Sequence, residues 1–187
     1  MMLNLEFSPF PNMNSERLDF RSLHDNDVNE VFAMRSDKEI MKYIPRPLAK
    51  DLKDALDHIK MVQETIAKSE GINWAITFKG SSKLIGIIGI YRISKADHRG
   101  ELGYILLPEY HNQGIISEAI QKVLTYAFEN IGFHSLEAII DPDNIASERV
   151  LIKNGFIKEA HIKENVFWDG QYLDTVIYSM LKRNFQH

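Results

Sequence analysis

A polar, glycine-containing loop precedes the amphipathic helix in the middle of the chain. It reads His111-Asn112-Gln113-Gly114-Ile115-Ile116-Ser117. A helix start presents N–H groups that lack intrahelical acceptors at the positive end of the helix dipole, so it attracts phosphate. Gly114 lets the backbone approach a ligand closely, and Ser117 adds a hydroxyl in the first turn. The spacing predicts an anion site, although a junction that only connects a strand to a helix has the same pattern.

A second pair of polar residues stands at the start of a later helix, predicted over 145–153. Asn144 occupies the position of a helix cap, and Ser147 follows one turn later. Asn154-Gly155 is typical of a helix end, and Phe156 is expected to pack into the core. A structural interpretation, with a cap and a surface hydroxyl, therefore stands beside a functional one.

The hydrophobic pattern along the chain changes between helical and strand periodicity, and it predicts the elements that position these residues. The first part predicts a strand at 17–21, a helix capped by Asp25 or Asn26, a short helix at 39–43, and a helix from Asp51 that stops at Gly71. The middle predicts strands at 74–78, 84–92 and 101–106, a helix at 115–130, a strand at 136–140 and the helix at 145–153. The chain closes with a hairpin that turns at Asp169-Gly170, between a strand near Phe167 and a strand at 175–181. We therefore predict an α/β (α+β) fold with a mixed, mostly antiparallel sheet and helices on both faces.

Composition limits the classes of function. The chain has 187 residues, of which 44% are hydrophobic and 26% are charged, which predicts one folded domain over 1–187. The absence of cysteine excludes disulfides, thiolate zinc sites and a cysteine nucleophile. A net charge of −4 without a basic run argues against nucleic-acid binding, and no metal-ligand spacing is present. Neither a signal peptide nor a span of roughly 18 apolar residues appears, so we expect no membrane partner and a cytoplasmic location.

Several spaced motifs, in a fixed order, cover nearly the whole chain. They are Glu16-Arg17-Leu18, Ser36-Asp37, Met41-Lys42-Tyr43, Leu84-Ile85-Gly86, Glu101-Leu102-Gly103-Tyr104, Gln113-Gly114-Ile115-Ile116, the helix after Asn144, Gly155-Phe156, Asp169-Gly170-Gln171-Tyr172-Leu173-Asp174 and Tyr178-Ser179. Together they resemble the GCN5-related N-acetyltransferase superfamily, and most closely its ribosomal-protein-alanine N-acetyltransferase branch. The resemblance implies acetyl-CoA as co-substrate, with no metal, and transfer of its acetyl group to a primary amine.

The resemblance also assigns binding roles to particular residues. It implies a V-shaped gap in the sheet between the strand that ends at Leu106 and the strand that ends near Ile140. The pantetheine arm would lie in this gap, bonded by Asn144 and paired with the backbone of Ile105, Leu106 and Leu107. The pyrophosphate would rest on Gln113, Gly114, Ile115, Ile116 and Ser117. Asn112 and Ser147 are also expected to bind the cofactor.

The chain departs from the family pattern in two places. The phosphate loop of the family often begins with Arg or Gln and has Gly or Ala two residues after its central Gly, where this chain has His111 and Ile116. Because the backbone amides remain, we expect CoA binding to persist. Many members also carry a general-acid Tyr in the helix after the Asn, where Leu151 stands here. The Asn-x-x-Ser spacing of the resembled branch makes Ser147 the candidate partner of the departing thiolate; the alternative is an ordinary helix hydroxyl.

The base and the acceptor are less closely specified. A chain without cysteine that resembles this family is expected to transfer the acetyl group directly, within a ternary complex. Glu101 is the candidate base, because strand alternation places it with Gly103 and Ile105 on the strand that lines the gap. A solvent-facing carboxylate is the alternative, and His111 and His98 are reserves.

The resemblance favours a protein N-terminal α-amine, of a ribosomal protein, as acceptor, with a small amine or an antibiotic as the alternative. Aromatic and sulfur side chains would shape the acceptor groove or fill the core: Met41, Tyr43, Trp74 and Phe167. A homodimer stays open. A non-catalytic acyl-CoA-binding module is a rival of a different class. A doubly wound nucleotide-binding domain is less favoured, because the strands before the loop do not alternate with helices.

Overall fold

A computed structural model describes residues 2–185 of the chain. The strands are β1 (Met13–Asn14), β2 (Leu18–Arg21), β3 (Ile72–Phe78), β4 (Gly86–Ser94), β5 (Arg99–Leu106), β6 (Ser135–Ile140), β7 (Ile157–Trp168) and β8 (Gln171–Leu181). The helices are α1 (Val28–Ser36), α2 (Lys38–Met41), α3 (Leu52–Ala67), α4 (Ile115–Tyr126) and α5 (Ile145–Lys153).

All eight strands form one sheet, in the order β1-β2-β3-β4-β5-β6-β8-β7. Short links join β3, β4 and β5 into the predicted antiparallel meander. The connection from β5 to β6 contains α4, and this crossover makes β5 and β6 the parallel pair of the sheet. The predicted mixed, mostly antiparallel α/β architecture is therefore confirmed.

Helices cover both faces of the sheet, and each face has its own apolar core. On one face α4 and α5 pack over a large cluster that includes Trp74, Ile88 and Leu151. On the other face α1 and α3 cover a smaller cluster, with Ile59 and Val62 from the apolar stripe of α3. The two faces of β5 therefore look into different environments: Tyr104 packs with the first cluster and Ile105 with the second.

Several predicted boundaries were wrong. Asp25 and Asn26 do not cap α1; they lie in a short 3₁₀ turn, and the carboxylate of Asp27 accepts from the backbone N–H of His24 and pairs with Arg21 at 2.7 Å. The helix predicted to run to residue 130 changes to a π turn over Ala127–Ile131. Strand β7 extends over 12 residues, far beyond the predicted segment near Phe167, because an exposed edge strand carries little apolar alternation.

Candidate active site

A gap opens in the sheet between β5 and β6. The two strands pair only over Arg99–Glu101 and Ser135–Glu137, although β5 continues to Leu106 and β6 to Ile140. Beyond Glu101 and Glu137 the strands share no register, so the predicted V-shaped splay is present. The splay leaves the backbone of β5 without a strand partner on that side.

The backbone groups that face this gap are fewer than predicted. The N–H of Leu107 donates to the carbonyl of Ile85 at 3.0 Å, and its carbonyl accepts from Tyr110 N–H at 3.0 Å. By the alternation of an antiparallel ladder, Ile105 also turns its polar groups toward β4, whereas Leu106 turns them toward the gap. The hypothesis that Ile105, Leu106 and Leu107 all pair with pantetheine is therefore narrowed to Leu106.

His111 lies against this same strand end. Its Nε2 is 3.0 Å from the carbonyl oxygen of Leu106, and because a carbonyl only accepts, this nitrogen is the donor. His111 thus stands between the end of β5 and the glycine loop, five residues beyond Leu106 and away from Glu101. The other reserve base, His98, lies in the β4–β5 turn, where its carbonyl accepts from the N–H of His134.

Gly114 is required by backbone conformation as well as by space. It caps α4 with φ +74°, in the left-handed region that favours glycine. The loop is held in place by Gln113, whose side-chain amide donates to the carbonyl of Glu109 at 2.9 Å, and by Ile115, which is buried in the core. Beside it Asn112 also has a positive φ of +59°, and Ile116 is partly buried. These contacts hold the loop in place, and the backbone N–H groups in the first turn of α4 remain without intrahelical acceptors.

Arg17 reaches this loop from the other end of the sequence. Its Nη1 donates to the carbonyl of Gln113 at 3.0 Å, and its Nε pairs with Glu118 at 2.7 Å. A Cβ atom added to Gly114 would lie 3.6 Å from its Nη2. The guanidinium supplies positive charge next to a loop that begins with His111 where relatives of the family often have Arg. Sequence reasoning missed this role, since 96 positions separate Arg17 from Gln113.

Ser117 is directed elsewhere than predicted. Its hydroxyl is hydrogen-bonded to the side-chain amide of Asn154, with heavy-atom distances of 3.2 Å and 3.0 Å. Asn154 is buried at the end of α5 and also accepts from Gln121 at 2.9 Å. The hydroxyl therefore ties α4 to α5, and the loop retains only the backbone N–H of Ser117. Asn154 ends its helix as predicted and, in addition, links the two helices.

Asn144 is a helix cap, as its position predicted. Its Oδ1 accepts from the backbone N–H of Ser147 at 3.1 Å. Within residues 2–185 its side-chain NH₂ has no hydrogen-bond partner, so the cap leaves a donor available between the end of β6 and α5. The capping role and a binding role are compatible.

Ser147 meets a residue that the sequence analysis did not single out. Its Oγ lies 2.7 Å from the phenol oxygen of Tyr104, which stands on β5 just past the last β5–β6 pair. Burial raises the pKa of Tyr104 to about 12, so the phenol keeps its proton at neutral pH. Leu151, on the next turn of α5, is fully buried in the apolar cluster. Strand alternation, which gave the face of Glu101, would have placed Tyr104 on the opposite face, toward α5.

Glu101 is partly buried and ion-paired. Its Oε2 is 2.7 Å from Nη1 of Arg92, and its side chain is 17% exposed. Burial raises the pKa of Glu101 from its ordinary value, and the attraction of Arg92 opposes this effect. Arg92 lies in the β-bulge between Tyr91 and Ser94 with a positive φ of +45°, next to Tyr91, which is the ladder partner of Glu101. The carboxylate can accept a proton and is not simply solvated.

The four side chains proposed for an acceptor groove lie in different surroundings. Trp74 is fully buried, donates to the carbonyl of Pro11 at 2.9 Å and packs edge-on against Tyr126, so it is a core residue. Met41 is also buried, and Tyr43 is half-buried beneath the ammonium of Lys42. The other ring, Phe167, is 63% exposed on the β7–β8 hairpin. Trp74 is therefore removed from the predicted groove.

Neither a membrane-crossing helix nor a metal-ligand group is present in the described part of the chain. Over 2–185, none of the helices combines the length and apolar character that a membrane crossing needs. In the same part of the chain, histidine and acidic side chains do not assemble in groups of three that could hold a metal ion.

Comparison with known proteins identifies the architecture around this gap. Residues 17–157 match the family model described as an acetyltransferase (GNAT) domain. An uncharacterized N-acetyltransferase, YoaA of Bacillus subtilis, is 32% identical over 173 residues, which cover 92% of this chain and 98% of the relative. The spermidine N(1)-acetyltransferase of Vibrio cholerae is 22% identical over 164 residues, which cover 87% of this chain and 91% of the relative. A crystal structure of a GNAT-family acetyltransferase from Bacillus anthracis superposes with a TM-score of 0.83, at 27% identity, over 92% of this chain and 99% of that chain.

Proposed function

This chain belongs to the GNAT acetyltransferase family, and from that membership we propose that its acceptor is the N-terminal α-amine of a protein, a ribosomal protein being the one that the motifs favour. The coarser activity is that of an acetyl-CoA-dependent N-acetyltransferase. One observation carries the proposed site: β5 and β6 separate beyond Glu101, and Tyr104 and Ser147 meet at the separation.

The chain's own groups fit an acetyl-CoA molecule in the gap. Leu106 offers backbone groups on the open side of β5, and the side-chain NH₂ of Asn144, which follows the end of β6, would bind from the opposite side. The first-turn amides of α4 and the guanidinium of Arg17 would hold the pyrophosphate, because both carry positive charge toward one loop. His111 would release the carbonyl of Leu106 if the pantetheine arm requires that acceptor.

Proton supply to the departing thiolate falls to Tyr104 and Ser147. Ser147 would donate its hydroxyl proton to the sulfur and take the phenol proton of Tyr104 through the 2.7 Å hydrogen bond. Solvent or released acceptor protons would then restore the phenol. The pair would take the place of the helix Tyr that Leu151 has replaced.

Glu101 would take a proton from the acceptor amine, because only a neutral amine has the lone pair that attacks the thioester. Burial raises the pKa of Glu101 toward neutral pH, which makes the carboxylate a stronger base than an ordinary Glu. It must still be ionised at pH 7 to accept the proton. Once Glu101 has taken the first proton and the amine is neutral, the C–N bond forms and the C–S bond breaks. The second amine proton leaves to solvent, the sulfur gains the hydroxyl proton of Ser147, and the carboxyl of Glu101 releases its proton to solvent before the next turnover.

A small amine is the second candidate acceptor. The relative from Vibrio cholerae is named for spermidine, and this chain covers most of its length. A polyamine needs several acidic side chains to hold its charges, however, and of the two carboxylates in the last β5–β6 pair, Glu101 is assigned to the base and Glu137 is paired with Arg99. We therefore place a protein N-terminus before a polyamine.

One assay tests the proposal and its main rivals. Purified protein with acetyl-CoA is offered peptides that represent ribosomal-protein N-termini, spermidine and simple primary amines, and the products are identified by mass spectrometry. We expect acetylation of a peptide α-amine that is lost in Ser147→Ala/Tyr104→Phe. Acetylation of spermidine alone would replace the protein acceptor with a small amine. CoA binding without any acetylated product would favour a non-catalytic acyl-CoA-binding module.

A further inference from the structure

Two arginines, one on α1 and one in the segment that leads to α3, have no acidic partner of their own among residues 2–185. Arg35 lies near the end of α1 and is half-buried, and Arg46 is exposed in the segment between α2 and α3. Within residues 2–185 neither guanidinium forms a hydrogen bond or a salt bridge. Burial and the charge of Arg46 both lower the pKa of Arg35. The Arg35 guanidinium is therefore partly desolvated and is repelled by a second positive charge.

The surroundings of the two arginines are polar and face the candidate base. Tyr91 accepts a hydrogen bond from the side chain of Asn73 at 2.7 Å and stands directly opposite Glu101 in the β4–β5 ladder. Its ring packs over Gly103, where an added Cβ would lie only 2.9 Å from the ring. Both arginines act electrostatically on Tyr91, and Arg46 also acts on Glu101. His58 on α3 completes the cluster.

This cluster lies apart from the phosphate loop. Five residue steps along β5 separate Glu101 from Leu106, which is about 17 Å at the rise of a strand, and the loop with Gly114 begins only after that. A pyrophosphate held at the start of α4 would therefore not also neutralise Arg35 and Arg46. The unpaired charge is on the side of Glu101, where the acceptor would approach.

We propose that the acceptor carries an anionic group, a carboxylate or a phosphate, which Arg35 and Arg46 bind while its amine reaches Glu101. Guanidinium groups match both anions geometrically through paired N–H donors. Such a ligand would relieve the repulsion between the arginines and compensate the desolvated charge of Arg35. This inference rests on the proposed amine acetylation, and it specifies an acidic side chain close to the N-terminal amine of the acceptor.

The test compares acceptors that differ only in one charge. Peptides with Glu, Gln or phosphoserine at their second and third positions are acetylated beside 4-aminobutyrate, its amide and spermidine, and kcat/KM is measured for each. We expect at least a tenfold preference for the anionic member of each matched pair. The Glu and phosphoserine peptides show whether the preferred anion is a carboxylate or a phosphate. The pair of 4-aminobutyrate and its amide shows whether a small amino acid is accepted as well as a peptide.

Variants locate the preference. Because Arg46 is exposed, Arg46→Gln should fold normally, abolish the preference and leave the affinity for CoA unchanged. The preference is taken as the ratio of kcat/KM within each matched pair of acceptors, because loss of the Arg46 charge also raises the pKa of Glu101 and changes both members alike. Arg46→Glu should turn the preference toward spermidine. Arg183→Gln, an exposed arginine near the C-terminal end of the described chain, is the matched control and should keep the wild-type preference. An uncharged or cationic acceptor preferred by the wild type, or a preference that survives Arg46→Gln, would overturn the inference while amine acetylation stands.

A binding measurement separates this inference from the proposed activity. The N-acetylated Glu peptide and its Gln counterpart are titrated into the CoA-bound protein by calorimetry. Tighter binding of the Glu peptide that is lost in Arg46→Gln would support the anion site even if no amine were turned over. Equal binding of the two peptides would reject the site.

Discussion

Tyr104 on β5 and Ser147 on α5 bring their hydroxyl oxygens to 2.7 Å from each other at the point where β5 and β6 separate. The contact joins two walls of the gap with groups that can both donate a proton. In this family's usual arrangement one Tyr on the helix performs that task, and here Leu151 fills its position with a buried apolar side chain. We therefore propose that the proton-donating hydroxyls lie on β5 and on the first turn of α5 instead.

The first prediction tests this pair by a double-mutant cycle. Ser147→Ala and Tyr104→Phe should each lower kcat by about 10- to 1000-fold, because each removes proton donation that matters mainly in the transition state. The double variant should be little worse than either single one, since both hydroxyls act in one path. Steady-state kinetics on a confirmed acceptor, with CoA affinity measured separately, gives the answer.

Tyr126→Phe is the matched control for the Tyr104 variant. The Tyr126 ring packs on Trp74 in the same apolar cluster. This variant therefore shows the effect of removing a phenol hydroxyl from that core. It should keep full kcat. Full activity in Ser147→Ala would leave the thiolate to solvent, and strictly additive losses would mean that the two hydroxyls act independently.

The second prediction concerns the glycine loop. Gly114→Asp places a carboxylate where the pyrophosphate is expected and forces a side chain into a backbone with φ +74°. We expect CoA affinity to fall at least thirtyfold, equivalent to about 2 kcal/mol. The strain should lower the free energy of unfolding by about 1 kcal/mol.

Gly132→Asp separates these two effects. Gly132 has φ +90° at the other end of the helical segment, and an added Cβ there meets no atom within 4 Å. This control should lose comparable stability and keep CoA affinity by calorimetry. Unchanged CoA binding in folded Gly114→Asp protein would remove the loop from the site.

The third prediction separates the two roles of Asn144. Asn144→Asp keeps the oxygen that accepts from Ser147 N–H and removes the NH₂ donor. Asn144→Ser also retains a good cap but has a shorter side chain. Both variants should melt close to the wild-type temperature while CoA affinity falls, as measured by thermal denaturation and calorimetry. Wild-type affinity in both would leave Asn144 as a cap alone.

The fourth prediction uses the pH dependence of the base. Glu101 must be ionised to accept a proton, so kcat/KM should decline as pH falls through its pKa, which burial raises above the ordinary value. Glu101→Gln should lower kcat/KM most between the pKa of Glu101 and that of the amine, where the carboxylate is ionised and the amine is charged. A pH–rate profile of both proteins measures this.

Glu137→Gln is the natural control, because Glu137 pairs with Glu101 in the β5–β6 ladder and also binds an arginine. Removal of its negative charge, which helps to raise the pKa of Glu101, should shift the acid limb slightly to lower pH and keep kcat. Identical profiles for wild type and Glu101→Gln would assign the base elsewhere.

The fifth prediction concerns stability below neutral pH. Burial, with the nearby charges of Arg35 and Arg46, lowers the pKa of His58 from 6.5 to about 4. The folded state therefore binds fewer protons than the unfolded state between these values, so stability falls as pH drops through this window, by up to about 3 kcal/mol. His58→Gln should lose less stability than wild type between pH 7.5 and 4.5 in urea unfolding. The exposed His24→Gln variant should keep the wild-type slope; an unchanged slope in His58→Gln would refute the assignment.

The sequence by itself determined what local periodicity and short-range hydrogen bonding control. The meander, the amphipathic helices and the cap at Asn144 are set by patterns within one element and its neighbours, and they match the structure. The order of the motifs along the chain indicates the family without any tertiary contact. Gly114 was singled out for the absence of a side chain, and the structure added the left-handed backbone that requires it.

Only the tertiary structure decided which distant residues share the site. The ladder register directed Leu106, and not Ile105 or Leu107, toward the gap. Tertiary folding places three pairs in hydrogen-bond contact although their members lie 37 to 96 positions apart in the sequence. They are Arg17 and Gln113, Ser117 and Asn154, and Tyr104 and Ser147. Periodicity assigns a residue to a face but not to a partner, because the partner depends on how strands pair and where the sheet opens.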